Sequence, residues 1–227
     1  MTEKKREIEW ASRIQAKRLE TSFPIPSAAG LRTIYRPAQT LSGDFYYFLR
    51  SGENKVCGIV GDVCGKGIAA SLSASAAKVI FYDAVGSSLT PMNVMKRMNS
   101  DVPKFLGDEF IAVCYFEMDF NRKTCTVVSA GIGEFSYQDE TGRYEQLMNR
   151  GAFLGMFQDG MFEEQVIRFK SGYRFFFYSD GFAEIFENMV PKMIDENGIC
   201  QADIFREISN IIVTRRLNDD DCTILEI

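Results

Sequence analysis

The sequence contains no histidine in 227 residues. This absence excludes a Ser-His-Asp triad, a Cys-His pair and most zinc sites, because all of them need an imidazole. Any chemistry in this chain must therefore use carboxylates, thiols or bound metal ions.

Cysteines are few and are not paired along the sequence. Six occur, none in a CxxC pair, which indicates reduced thiols in a cytoplasmic protein rather than a disulfide framework. Cys57, Cys114 and Cys125 lie inside apolar, strand-like runs, and we expect them to be small core residues.

Long basic clusters and long apolar runs are also missing. The net charge is -5, and the basic clusters Lys4-Lys5-Arg6 and Arg215-Arg216 are short, which argues against a nucleic-acid partner because phosphate backbones are bound mainly through clustered Lys and Arg. No uninterrupted apolar run is long enough to cross a bilayer, and the first residues lack the apolar segment of a signal peptide. We expect a soluble chain that inserts into no membrane.

The length fits one domain with a short N-terminal extension. We assign residues 1–22 to a linker or regulatory helix and residues 23–227 to the main domain. The extension carries a loose apolar stripe, made of Ile8, Ala11, Ile14 and Leu19. This stripe fits either a solvated terminal helix or a connection to an upstream sensory domain, and such a helix gains stability by pairing with a second copy of the chain.

Short apolar runs bounded by turn residues predict a sheet-rich domain. The predicted strands cover residues 32–35, 45–49, 55–60, 110–118, 124–129, 134–138, 164–169, 174–178 and 222–227. Helical spacing predicts helices over residues 68–82 and 203–213, and a third helix that begins at Thr90-Pro91. Strands at hairpin spacing with few helices predict an α+β fold, a two-layer antiparallel β-sandwich flanked by helices.

One predicted hairpin brings two aspartates together. A turn centred on Glu53 pairs Tyr46 with Val60 and, further out, Asp44 with Asp62, at roughly 5 Å between Cβ atoms. Like charges in this position are destabilising unless a positive group lies between them, and no Lys or Arg occupies that stretch. A divalent cation would satisfy both carboxylates.

Two more aspartates lie beside predicted strands. Asp180 follows the apolar run 174–178, and Asp219-Asp220-Asp221 precedes the last strand. If these strands pair antiparallel, Asp180 and Asp220 meet at one edge of the sheet. Each aspartate alone fits a turn or a helix cap. Four in matching contexts favour an oxygen-only site for magnesium or manganese.

Four segments resemble the successive motifs of one enzyme family. They are SGDFYYF (42–48), GDVCGKG (61–67), YSDGFAE (178–184) and DDCTILEI (220–227). In order and spacing they are similar to the PPM, or type 2C, phosphatases in their bacterial SpoIIE/RsbU branch. The resemblance implies an αββα fold and two divalent cations, Mn or Mg, that support phosphate hydrolysis.

The resemblance also implies a role for each matched residue. Asp62 would bridge both metal ions, with the Val63 carbonyl as a neighbouring ligand, and Asp44 would contact one ion directly or through water. Asp180 and Asp220 would hold the other ion, with Asp221 as the alternative to Asp220. Arg36 and Lys66 are candidates for phosphate contact.

The sequence departs from the family pattern in three segments. Ser42 replaces a glycine before the first aspartate, and Tyr47 replaces a second acidic residue after it. Ser129-Ala130-Gly131-Ile132 stands where the family commonly has NAGH, so any substrate contact of that histidine is missing.

These observations favour a protein serine/threonine phosphatase. The implied substrate is a small phosphorylated regulatory protein, such as an anti-sigma-factor antagonist in a partner-switching pathway. The alternatives are a catalytically weak or inactive module of the same fold that binds phosphoproteins, and a metal-dependent nuclease, which conflicts with the acidic composition.

Overall fold

A computed structural model describes residues 3–87, 90–214 and 220–227, and within these ranges the chain forms ten strands and five helices. The helices are α1 (Glu3–Lys17), α2 (Ile68–Gly86), α3 (Pro91–Leu106), α4 (Asp180–Met193) and α5 (Ile204–Thr214). The strands are β1 (Arg32–Arg36), β2 (Phe45–Gly52), β3 (Lys55–Val63), β4 (Ile111–Asp119), β5 (Thr124–Ala130), β6 (Glu134–Gln138), β7 (Tyr144–Met148), β8 (Glu164–Arg168), β9 (Arg174–Tyr178) and β10 (Cys222–Glu226). Arg215, Arg216 and Asp219 of the sequence analysis lie outside the described residues.

The strands form two five-stranded sheets in which the neighbouring strands pair antiparallel. Sheet 1 has the order β1-β10-β9-β6-β7, and sheet 2 has the order β2-β3-β4-β5-β8. Their inner faces pack together around Phe116 of sheet 2 and Phe177 of sheet 1, whose rings stack at 4.1 Å between centroids. The predicted sandwich is confirmed.

Helices cover both outer faces. α2 and α3 pack on sheet 2, and α4 and α5 pack on sheet 1, which gives four layers in the order αββα. Cys57, Cys114 and Cys125 are buried free thiols, as expected from the sequence.

Two helices illustrate how the sequence specifies these layers. α3 begins as predicted, with Pro91 in its first turn and the Thr90 hydroxyl accepting a hydrogen bond from the backbone N–H of Asn93. Among the described helices, α2 is the one whose length and composition would allow it to cross a membrane. Its small residues Ala70, Ala74 and Ala77 are buried against sheet 2, so α2 serves as a core helix here.

The N-terminal helix α1 contains no buried residue. Its half-buried side includes Ile8, Ala11 and Gln15, whereas Trp10 and Ile14 are exposed. Ile14 of the apolar stripe therefore faces away from the domain, and the polar Gln15 faces the domain instead. The chain enters the core at Phe23, which is buried between the sheets.

Two elements were missed by the sequence analysis. β7 is an edge strand with no fully buried residue, so its apolar pattern is weak. α4 begins with Asp180-Gly181 and contains Pro191, which are signals for turns. Its apolar residues nevertheless follow helical spacing, at Phe182, Ile185, Phe186, Met189 and Val190.

Candidate metal centre

The predicted register of the β2–β3 hairpin is confirmed. Tyr46 pairs with Val60, and Phe45 pairs with Gly61 at the end of the ladder. One step further along this register, Asp44 lies opposite Asp62. The hairpin therefore presents two carboxylates side by side at one end of sheet 2.

Asp44 is the most buried of the acidic residues in this centre, with 1% of its surface exposed. Its Oδ2 accepts a hydrogen bond from the Ser179 hydroxyl at 2.7 Å, whereas its buried Oδ1 has no hydrogen-bond partner. Burial raises the pKa of Asp44 well above its usual value, and the nearby charges of Asp62 and Asp221 raise it further. Such a carboxyl group needs either a proton or a cation.

Asp62 is surrounded by the other acidic residues. Burial raises its pKa to about 7, and the charges of Asp180, Asp220 and Asp221 add to the shift. The pKa of Asp180 is also raised, first by burial and then by the charge of Asp220. Because β9 and β10 pair antiparallel, with Tyr178 opposite Ile224, the segments that carry Asp180 and Asp220 meet at one edge of sheet 1, as predicted.

The neighbouring aspartates Asp220 and Asp221 have different surroundings. Asp221 is 3% exposed, and its two oxygens accept hydrogen bonds from the backbone N–H groups of Ala38 at 2.6 Å and Gly43 at 2.8 Å. Asp220 is half exposed and forms an ion pair with Lys66 at 2.8 Å. Asp221 therefore anchors the loop before Asp44, whereas the charge of the more exposed Asp220 acts on both Asp62 and Asp180.

Two glycines allow the loops of the centre to approach closely. A Cβ atom on Gly43 would lie 2.8 Å from the carbonyl oxygen of Val63, and one on Gly181 would lie 2.1 Å from the carbonyl oxygen of Asp221. Both distances are too short for any side chain. The glycines in the SGD and SDG motifs therefore bring the aspartate loops together.

The two candidate phosphate ligands lie in different places. Lys66 reaches the centre through Asp220, and this hydrogen bond raises the pKa of Lys66. The Arg36 guanidinium donates instead to the carbonyl oxygen of Ile212 in α5 at 2.8 Å. The structure thus brings Lys66 to the acidic residues and engages Arg36 elsewhere.

The donor chemistry of this centre fits a hard divalent cation. The four aspartates Asp44, Asp62, Asp180 and Asp220 and the Val63 carbonyl supply oxygen atoms alone, which Mg²⁺ and Mn²⁺ prefer. The buried, unpaired Oδ1 of Asp44 and the raised pKa values of Asp44 and Asp62 fit a site that binds a cation. In the part of the chain that the structure describes, no three acidic or cysteine side chains close into a ready-made coordination shell.

Sequence reasoning missed the contacts by which three residues support this centre. Ser179 donates to Asp44 and accepts from the backbone N–H of Thr223, so it connects both sheets. Gln15 binds the backbone of Ser42, and Asp221 holds the loop at Gly43. The sequence shows a serine directly before Asp180, and this was the signal that could have identified Ser179. The contacts of Gln15 and Asp221 join residues far apart in the sequence and leave no local signal.

Comparison with known proteins gives a consistent result. A model of the family described as stage II sporulation protein E (SpoIIE) matches residues 52–227. The phosphoserine phosphatase RsbU of Bacillus subtilis (strain 168) is 30% identical over 182 residues, which cover 79% of this chain and 54% of RsbU. The phosphoserine phosphatase RsbP of the same organism is 29% identical over 182 residues, which cover 78% of this chain and 45% of RsbP. The chain thus spans about half the length of these two relatives.

Solved structures show the same fold. The SiaA-PP2C domain of Pseudomonas aeruginosa superimposes with a TM-score of 0.76 at 17% identity, over 97% of this chain and 95% of that chain. The PP2C phosphatase domain of SpoIIE from Bacillus subtilis, solved with a fragment of its regulatory domain, gives a TM-score of 0.71 at 17% identity, over 86% of this chain and 60% of that chain.

Proposed function

This chain belongs to the SpoIIE family, and from that premise we propose that it is a metal-dependent phosphatase that hydrolyses phosphoserine or phosphothreonine on a regulatory protein. The family resemblance drawn from the four motifs is confirmed. The observation that carries the proposal is the meeting of Asp44 and Asp62 from sheet 2 with Asp180 and Asp220 from sheet 1.

In this proposal, each acidic residue has a defined task. Asp62, whose pKa is raised by the charges of Asp180, Asp220 and Asp221, would hold both divalent cations, with the Val63 carbonyl as a neighbouring ligand. Asp44, whose buried Oδ1 has no hydrogen-bond partner, would contact one cation directly or through water, and Asp180 and Asp220 would hold the other. The bound cations supply a nucleophilic water at neutral pH and a Lewis acid for the phosphoryl oxygens.

The protein residues around the acids orient and protect this arrangement. Ser179 fixes the Asp44 carboxylate by donating to Oδ2, which leaves Oδ1 directed to its ligand. Asp221 and Gly43 hold the loop that carries Asp44. Lys66, next to Asp220, supplies a positive charge for the phosphate, and no side chain needs to form a covalent bond to it.

The substrate class follows from the relatives. RsbU and RsbP are named phosphoserine phosphatases, and one structural neighbour contains RsbU and RsbW domains in a single protein. A phosphorylated partner-switching regulator, such as an anti-sigma-factor antagonist, is therefore the substrate we propose, in the cytoplasm.

Manganese-dependent hydrolysis of p-nitrophenyl phosphate and of a phosphoserine peptide tests this function. We expect turnover with Mn²⁺ or Mg²⁺ and none with excess EDTA, because no side chain of this centre replaces the bound cations. Turnover that persists in EDTA contradicts the metal dependence. A folded protein that binds phosphopeptides and hydrolyses neither substrate would instead be a binding module.

We propose a regulatory role for the N-terminal helix as well. Residues 1–22 act as a regulatory linker to the phosphatase domain of residues 23–227 and connect it to an upstream sensor domain. Trp10 and Ile14, one helical turn apart and both exposed, form the face through which two copies pair. Light scattering of the full chain tests this pairing: Trp10→Glu should lower the mass from dimer to monomer, and an unchanged mass contradicts it.

A further inference from the structure

A cavity of about 280 Å³ opens directly beside the candidate metal centre. Asp62 and Asp180 line one end of it. Its other end is formed by the connection between β5 and β6, by the end of β7 and by the loop that carries Phe153. The space is large enough for a bulky side chain, and it is continuous with the site at which we propose that phosphate is hydrolysed.

The far end of this cavity is mostly apolar, with Glu134 as its acidic residue. Ile132 and Phe153 form its walls, and Met148, which is 67% exposed, lies at its rim. A Cβ atom on Gly131 would lie 2.6 Å from the Phe153 ring, so this glycine lets the ring close over the chain beside Ile132. A phosphoryl group placed at this end would lose its hydration without gaining a partner. The phosphate therefore belongs at the acidic end, and a neighbouring part of the substrate at the apolar end.

We infer that this cavity is a specificity subsite that receives a bulky apolar side chain next to the phosphoserine of the protein substrate. The inference rests on the proposed function. Ile132 is its main determinant, because it lines the wall between the acids and Phe153. In the family pattern this position is commonly a histidine, so the isoleucine makes the subsite of this chain more apolar.

The charges around the cavity add a second determinant of which substrate side chains it accepts. Asp62, Asp180 and Glu134 all line it, and no described residue of its lining carries a positive charge. Because the proposed cations would offset the charges of Asp62 and Asp180, an acidic side chain next to the phosphoserine would be repelled by Glu134, and a polar neutral one would lose its hydration. The expected order of preference is Leu, then Asn, then Asp.

Phosphoserine peptides with Leu, Asn or Asp at one position at a time, from two residues before to two residues after the phosphoserine, test the subsite. We expect kcat/KM to be about 10-fold higher for Leu than for Asn at one of these positions. The difference should lie in KM, because the apolar side chain contacts the cavity wall and not the reacting phosphoryl group. Equal values for Leu and Asn at every position overturn the inference, even if Asp is poorer, because charge alone then explains the result.

Variants locate the preference in this cavity. Ile132→Asn should reduce the Leu-to-Asn ratio to within about 2-fold, whereas Ile132→Val should preserve it. Both peptides are measured on one preparation, so a change in folded fraction or metal occupancy cancels in the ratio. Met148→Asp at the exposed rim serves as a second variant if Ile132→Asn does not fold. A ratio that neither variant changes overturns the assignment.

Hydrolysis of p-nitrophenyl phosphate separates the two conclusions, because this substrate has no neighbouring residue. A wild-type protein that hydrolyses it with Mn²⁺ and shows no peptide preference keeps the proposed function and overturns the subsite. A wild-type protein that hydrolyses no substrate overturns both.

Discussion

The side chain of Gln15 binds both backbone groups of Ser42. Its Nε2 donates to the Ser42 carbonyl oxygen at 2.7 Å, and its Oε1 accepts from the Ser42 N–H at 3.2 Å. The Ser42 hydroxyl in turn accepts a hydrogen bond from the N–H of Asp44 at 3.0 Å. A helix with no buried residue is thus connected to the candidate metal centre through one amide group.

We predict that Gln15→Ala weakens metal binding because it releases the loop before Asp44. The Mn²⁺ concentration for half-maximal activity should rise about 10-fold, as is usual for groups that orient metal ligands. A manganese titration of p-nitrophenyl phosphate hydrolysis measures the effect. Arg13→Ala, on the same helix and exposed, is the matched control and should leave the titration unchanged. Identical curves for both variants would limit α1 to a role outside the centre.

Asp62→Asn and Asp180→Asn should each lower turnover on the order of 100-fold or more, because each removes a ligand charge. Both variants should remain folded, since the substitution also removes repulsion among the carboxylates. Circular dichroism and the phosphatase assay test this pair. Turnover within a few-fold of wild type would exclude the substituted residue from the centre.

Asp220 and Asp221 should respond to substitution in opposite ways. Asp221→Ala leaves the N–H groups of Ala38 and Gly43 without their buried acceptor, so the free energy of unfolding should fall by about 2–4 kcal/mol. Asp220→Asn removes only a solvent-exposed ion pair, worth about 0–1 kcal/mol, but should abolish metal-dependent turnover. Urea unfolding and the phosphatase assay measure the two effects. The reverse outcome would make Asp221 the metal ligand.

The metal-free protein should become less stable as pH rises towards neutrality. The folded pKa of Asp62 is about 7, against an ordinary value of 3.8, so between these pH values the folded chain holds a proton that the unfolded chain has released. The stability that this bound proton gives to the folded state is complete below about pH 4 and is lost as pH rises through about 7. The side chain in Asp62→Asn has no carboxyl group to titrate. In EDTA the melting temperature of this variant should therefore exceed that of wild type at pH 8, and the difference should shrink by pH 5. A constant difference contradicts the shifted pKa.

The sequence was sufficient for features that depend on neighbouring residues. The pairing of Asp44 with Asp62 follows from turn position and strand alternation, and Thr90-Pro91 marks the start of α3 through capping chemistry. The choice between Asp220 and Asp221 was not decidable, because a shift of one residue turns a side chain to the other face of the strand. The contacts of Asp221 with Ala38 and Gly43, in a distant segment, support Asp220 as the proposed ligand.

The four aspartates of the centre come from both sheets: Asp44 and Asp62 stand at one end of sheet 2, and Asp180 and Asp220 stand beside β9 and β10 of sheet 1. The centre therefore lies across the seam of the sandwich, where bound cations would connect the two sheets. Coordination distances tolerate deviations of only about 0.2 Å. A partner or linker that displaces one sheet relative to the other by more than this distance would weaken metal binding, and hence lower turnover, without contacting an aspartate.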